Sequence, residues 1–222
     1  METRTYKSYT SPRRDILKLI QEPPRRVLDV GCSNGALSAE LKKRFPNAHV
    51  TGLENEKTLI QEAQKNVDRV IAVDLDKPED RALATEVFDL LIFADVLEHT
   101  KEPQLVLKEL LRYASADAKI LISLPNVQHW TTFYELASGA WPERDRGLFD
   151  RTHLRWFTKR KICALASDCG LSIVSLHRNY RILDRPGGKV NRWSKYASHL
   201  PFKNFLTYQY LVVLKISPPK AR

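Results

Sequence analysis

Cysteine is scarce in this 222-residue chain, and Cys32, Cys163 and Cys169 never form the C-x-x-C spacing of metal knuckles and redox loops. An odd count also argues against a disulfide framework, so a reducing compartment is expected. No run approaches the ~18 apolar residues of a membrane span, and Met1 to Asp15 is polar, without the apolar core of a secretion signal. The expectation is a cytoplasmic protein with no transmembrane segment. Internal repeats and low-complexity tracts are absent as well. Also missing is the G-x-G-x-x-G loop that seats a pyrophosphate on a helix N-terminus, because Ser33 and Ala36 occupy its second and third glycine places.

With 43% hydrophobic residues, the chain can build one full core and is too short for two ordinary large domains. Strand patterns fall near 26–30, 49–54, 69–73, 88–94, 118–124, 171–178 and 208–216, and helical patterns near 12–21, 35–45, 56–66, 102–114 and 158–168. Such alternation implies a mostly parallel sheet with helices on both faces. The β-branched and aromatic run from Tyr208 to Ile216 is expected to close the sheet edge, antiparallel to its neighbour. Segments 126–157 and 184–205 read as irregular. Loops of that length inside a compact domain are usually functional lids or disordered.

The apolar strand Arg26 to Val30 runs into Gly31-Cys32-Ser33-Asn34-Gly35 and then into a helical pattern. This is a nucleotide-type turn, where glycine lets the backbone approach a ligand that a Cβ would hold away. Without the full glycine set, a phosphate-free ligand fits better. Carboxylates then recur at successive strand ends: Glu54 about 20 residues on, where an acid accepts ribose hydroxyls, then Asp74, then Asp95. The loop resembles the first motif of class I S-adenosylmethionine-dependent methyltransferases. That resemblance implies a seven-stranded, mostly parallel Rossmann-like α/β sheet with helices on both faces and a lid insertion. It also implies that Asp29, Gly31 and Gly35 surround the methionine part of the cofactor, that Glu54 takes the ribose and that Asp74 takes the adenine amino group. Cys32, Asn34, Asn55, Leu75, Ala94 and Asp95 complete the expected cofactor set.

Three further stretches narrow the resemblance: Asp95-Val96-Leu97-Glu98-His99, then Ser123-Leu124-Pro125-Asn126-Val127-Gln128-His129-Trp130, then Asp150-Arg151-Thr152-His153-Leu154-Arg155-Trp156-Phe157-Thr158. They are similar to linked signatures of a bacterial methyltransferase group associated with glycosyltransferases and surface-polysaccharide pathways, although Trp156 replaces the commoner Phe. The expected organisation is one methyltransferase domain over 1–222. Its cofactor-binding part is about 24–125, its lid and acceptor part 126–157, and its C-terminal strands and basic insert 158–222.

A sulfonium methyl is already activated, so catalysis is largely in-line positioning and exclusion of water. A hydroxyl acceptor must also lose a proton, to a base or with the help of a metal. His99, just beyond the fourth strand, is the expected base, with His153 as the second catalytic candidate. His129, Trp130 and Arg151 are the expected substrate-binding residues. The D-x-x-E-H spacing of Asp95, Glu98 and His99, with His153 downstream, is similar to the divalent-metal motif of small-RNA 2′-O-methyltransferases. It forms an alternative metal set beside the expectation of no metal.

The net charge of +10 is concentrated after Asp117, with aromatic residues interleaved, and is compatible with a solvated basic face or an anionic acceptor. Three functions follow. The leading one is O-methylation of a small-molecule or glycan acceptor. The others are RNA ribose methylation with a divalent metal, for which salt-dependent binding would speak, and a non-catalytic cofactor-binding partner of another enzyme.

Overall fold

The computed structural model describes residues 12–77, 83, 86–183 and 202–218. Its centre is a seven-stranded sheet in the order β3-β2-β1-β4-β5-β7-β6. The strands are β1 Arg26–Val30, β2 His49–Glu54, β3 Arg69–Ala72, β4 Phe88–Ala94, β5 Ala114–Pro125, β6 Leu171–Tyr180 and β7 Thr207–Ile216. The first five pair in parallel, and β7 runs antiparallel to both β5 and β6. The reversal of β7 matches the expectation, but its place does not, because β7 lies between β5 and β6 and the outer strand is β6. The burial of each strand gives the reason. β7 is buried almost continuously from Tyr208 to Leu214, as a strand covered on both faces must be. β6 leaves Ile173 and Val174 exposed and carries two register shifts, which blunt it as an edge.

Helices α1 Arg14–Leu17, α2 Ala36–Arg44, α3 Lys57–Ala63, α4 Pro103–Leu110, α5 Trp130–Ala137, α6 Lys159–Asp168 and α7 Lys203–Leu206 connect the strands. Alternation along the strands divides the core in two. Val27, Val50, Leu90 and Ile92 pack beneath α1 and α2 with Ile16, Leu17, Leu37 and Leu41. Leu28, Val30, Leu91 and Phe93 face the other way, onto Leu107 and Leu110 of α4 and Ile162 and Leu165 of α6. Thr158 caps α6 by accepting the Lys161 amide at 3.3 Å.

Segment 126–157, read as irregular, contains α5. Its two ends are fastened to each other, with Val127 N–H donating to the Phe157 carbonyl at 2.9 Å, and its start is tied to β7, with Asn126 Nδ2 donating to the Thr207 carbonyl at 2.7 Å. Leu148 and Phe149 bury against Tyr208. The insertion therefore grows from the carboxyl end of β5 over β7. Most of the basic insert expected over 184–205 lies outside the described residues, including Arg185, Lys189, Arg192 and Lys195. Among the described residues no helix is long and apolar enough to cross a membrane.

Candidate active site

The strand order reverses between β1 and β4, and a cleft of about 1050 Å³ opens there at the carboxyl edge of the sheet. In open α/β sheets this is where ligands bind. Of the expected cofactor residues, Gly31, Glu54, Asn55, Asp74, Leu75, Ala94 and Asp95 line it, as do His99 and Arg151. The backbone is unusual on both sides of the crevice: Ser33 and Asp95 hold left-handed φ angles of 51° and 56°. Gly31 is also left-handed, and a Cβ there would stand 2.7 Å from Val96 Cγ2, so only glycine keeps this turn open.

Glu54 ends β2 as a well-held carboxylate. It accepts the Ser33 amide at 2.8 Å on one oxygen and the Asn55 and Glu56 amides at 2.8 and 3.0 Å on the other. These bonds tie the β1 turn to the β2 turn. Asp74 Oδ1 accepts the Asp76 amide and so shapes the turn after β3. The remaining four expected residues stand behind the turn. Asp29 is buried against α2 and accepts the Ser38 hydroxyl at 2.6 Å. Burial, with Glu54 adding repulsion, pushes its carboxyl up to about 6. Cys32 is buried against Gly52, and burial raises its thiol. Asn34 turns its Oδ1 back to the Ala36 amide, and Gly35 begins α2 with a φ of 75°.

At the far end of the cleft, the 3-10 turn Leu97–His99 after β4 docks on the 150–155 loop: Leu154 and Arg155 N–H both donate to the Glu98 carbonyl. His99 Nδ1 lies 2.9 Å from Thr152 Oγ1, whose hydroxyl donates to Asp150 Oδ1 at 2.6 Å. With the hydroxyl proton committed to Asp150, Nδ1 of His99 carries the ring hydrogen. His153 packs edge-on to His99, with ring centroids 4.8 Å apart. Burial lowers both imidazoles, and the pair's mutual repulsion lowers His153 further. Glu98 is 1% exposed, and burial followed by the charge of Asp95 raises it well above the usual carboxylate range.

Asp95 is not in this cluster. Its carboxylate is taken by Arg13 Nη1, by Ser123 Oγ at 2.6 Å and by Gln209 Nε2 at 2.6 Å. The four-residue metal alternative thus reduces to three, Glu98, His99 and His153. Burial opposes the charge of Arg13, but Asp95 and Asp15 outweigh it and hold the guanidinium protonated. His129 and Trp130, expected at the acceptor, are not among the cleft residues. His129 lies between Thr131 Oγ1 and the Arg181 carbonyl, each 2.8 Å from a ring nitrogen, and Trp130 Nε1 donates to the Ile182 carbonyl at 2.7 Å. They fasten α5 to the chain after β6.

Sequence reasoning did not select Asp150, Thr152, Arg13, Ser123 or Gln209. An Asp-x-Thr pair is a readable local turn signal. Arg13 and Gln209 reach Asp95 from 82 and 114 residues away, with no local signal to reveal them.

The fold is that of class I S-adenosylmethionine-dependent methyltransferases. A solved magnesium protoporphyrin IX methyltransferase from Synechocystis, with bound S-adenosylhomocysteine, aligns with a TM-score of 0.63 at 17% identity, covering 98% of this chain and 90% of that one. Within that fold, the chain belongs to the family described as methionine biosynthesis protein MetW, whose model matches residues 12–205. An (S)-tetrahydroprotoberberine N-methyltransferase from Eschscholzia californica is 34% identical over 113 residues, which is 47% of this chain and 30% of the relative. A malonyl-[acyl-carrier protein] O-methyltransferase from Halalkalibacterium halodurans is 26% identical over 121 residues, 52% of this chain and 44% of the relative. The matches therefore span less than half the length of these curated relatives.

Proposed function

We propose that this protein transfers a methyl group from S-adenosylmethionine to an oxygen of a small-molecule or glycan acceptor in the cleft between β1 and β4. The observation that carries the reading is the chemistry of the lining. Leu53, Leu59, Val73 and Leu75 offer an apolar wall for an adenine ring, with Glu54 beside it for ribose hydroxyls. Among the described lining residues Arg151 is the one Arg or Lys, against the acids Glu54, Asp74, Asp76 and Asp95. A dinucleotide's diphosphate would be repelled there, whereas a sulfonium cation would be attracted. The same acids disfavour an RNA backbone in the cleft.

When bound, S-adenosylmethionine supplies an activated methyl carbon, so the chain's own residues have to position, shield and deprotonate. The open Gly31 turn admits the cofactor's amino-acid end, and the 126–157 insertion acts as the lid of the acceptor side. Arg151, half exposed and paired with Asp145, is free to exchange that partner for an anionic acceptor group. His99, with its tautomer set by Thr152, stands where a hydroxyl acceptor has to lose its proton. A glycan hydroxyl of a surface polysaccharide is the finer assignment, supported by the similarity of the three downstream motifs. Work on that acceptor class belongs in the cytoplasm.

Calorimetry tests the reading. S-adenosylhomocysteine should bind and NAD should not. Glu54→Ala should weaken S-adenosylhomocysteine by about 1–3 kcal/mol, because ribose hydroxyls lose a charged acceptor. Binding of NAD in its place would overturn the assignment, and unchanged affinity in the variant would remove Glu54 from the site.

A further inference from the structure

The structure assigns a divalent-cation site to Glu98, His99 and His153 at the acceptor end of the cleft. One ligand atom from each residue lies within 4.8 Å of the others. Glu98 is 1% exposed, yet among the described residues its Oε2 has no hydrogen-bond partner. A buried carboxylate oxygen left unpaired in a folded protein calls for an explanation, and a cation between it and two imidazoles supplies one.

The surroundings of the histidines agree. His99 Nδ1 donates toward Thr152 Oγ1 and the Thr152 carbonyl, which leaves Nε2 as the lone-pair nitrogen. Anchoring one ring nitrogen on backbone or a polar partner is how proteins orient imidazoles that bind metals. Asp150 stands behind Thr152 as the charged end of that chain of bonds. Two imidazoles and one carboxylate suit Zn²⁺, Fe²⁺ or Mn²⁺, not the all-oxygen shells of Ca²⁺ or Mg²⁺. Metal–ligand bonds of about 2.1 Å place ligand atoms roughly 3–3.5 Å apart, so the widest pair, now within 4.8 Å, closes by roughly 1.5 Å on loading. Three protein ligands leave a further coordination position, and His99 and Thr152 border the cleft. Asp95, engaged by Arg13, Ser123 and Gln209, stays outside the ligand set.

What the ion does rests on the methyl-transfer reading. An acceptor hydroxyl taking the open position gives up its proton to water, and its oxygen lone pair then forms the new bond to the methyl carbon as the carbon–sulfur bond of S-adenosylmethionine breaks, its electron pair staying on the sulfur of the departing S-adenosylhomocysteine. His99 thereby serves deprotonation as a ligand and not as the base itself.

The test uses the full untagged chain, stripped with chelator and dialysed, with no methyl donor present. Mn²⁺ is titrated by electron paramagnetic resonance of the free ion, and Zn²⁺ by calorimetry. One equivalent should bind, and affinity should fall at least about tenfold in both His153→Ala and Glu98→Gln. Both variants should keep the wild-type affinity for S-adenosylhomocysteine, which separates lost ligation from lost fold. Should either variant fail to fold, the other decides. Absence of one-to-one binding in the wild type, or unchanged affinity in the folded variants, overturns the site. Metal binding in a protein that ignores S-adenosylhomocysteine would instead overturn the methyl-transfer reading.

Discussion

Asp29 shows how a single residue at such a cleft works against the stability of the fold. It is 1% exposed and, among the described residues, receives one side-chain hydrogen bond, from Ser38. Its folded pKa of about 6 lies above the ordinary 3.8. The direction of the effect on stability follows. Below about pH 4 the group is protonated in both states and costs nothing, the cost grows between about pH 4 and 6, and above that it is present in full, on the order of 2–3 kcal/mol. Asp29→Asn should therefore raise the melting temperature of the ligand-free protein at pH 7 and change it little at pH 4, as followed by thermal unfolding at the two pH values. An equal gain at both would mean that the carboxylate's charge is not responsible. A residue kept at such a cost is consistent with a role in shaping the turn it supports.

Among the elements, α1 is only four residues long and yet is fastened firmly, because Arg13 just before it reaches Asp95, Ser123 and Asp15. The segment clamps the carboxyl ends of β4 and β5. Arg13→Met should strand the Asp95 carboxylate and lower stability by about 1–3 kcal/mol, less than for a fully buried pair since Asp95 is partly exposed. A double-mutant cycle with Asp95→Asn, read by urea denaturation, should return a coupling of the same sign, and additivity would show that the pair is not energetically linked. The 126–157 insertion behaves differently. Its ends are pinned at Asn126 and Phe157, while Trp141, Leu154 and Trp156 remain 40% or more exposed. Hydrogen exchange should slow across this segment when S-adenosylhomocysteine and acceptor are added, as lids drawn from the low-stability part of a fold do. Equal protection with and without ligand would deny it the role of a lid.

At the scale of the molecule, a chain of net charge +10 lines its cleft with carboxylates. Among the described lining residues the acids outnumber Arg151, so binding of a polyanion in the cleft itself is disfavoured at low salt. A ligand held by the native cleft alone stabilises the whole fold by mass action. S-adenosylhomocysteine at 100 times its dissociation constant should add about 2.7 kcal/mol and raise the melting temperature by roughly 5–11 °C. NAD at the same concentration should add nothing. A shift with NAD and none with S-adenosylhomocysteine would reverse the cofactor assignment.

The seven strands could be read from the sequence because each is a local apolar run, and the turn after β1 because only glycine fits the close approach of Val96 to Gly31. Glu54, Asp74 and Asp95 were visible for a similar reason: in a parallel sheet, successive strand ends fall at one edge, so order along the chain becomes neighbourhood in space. The position of β7 was not visible, since its run is equally apolar at an edge or inside, and only the exposed, register-shifted β6 decides between them. Nor was the division of the motif residues. His129 and Trp130 look like site residues in sequence, but the path of α5 turns their polar atoms to the Arg181 and Ile182 carbonyls. Asp95 looks like a partner of Glu98 and His99 until Arg13 and Gln209 arrive from opposite ends of the chain. Local pattern sets which residues form strands and turns. Which carboxylate is neutralised and which is left buried depends on contacts across roughly a hundred residues, and these exist only once the chain has folded.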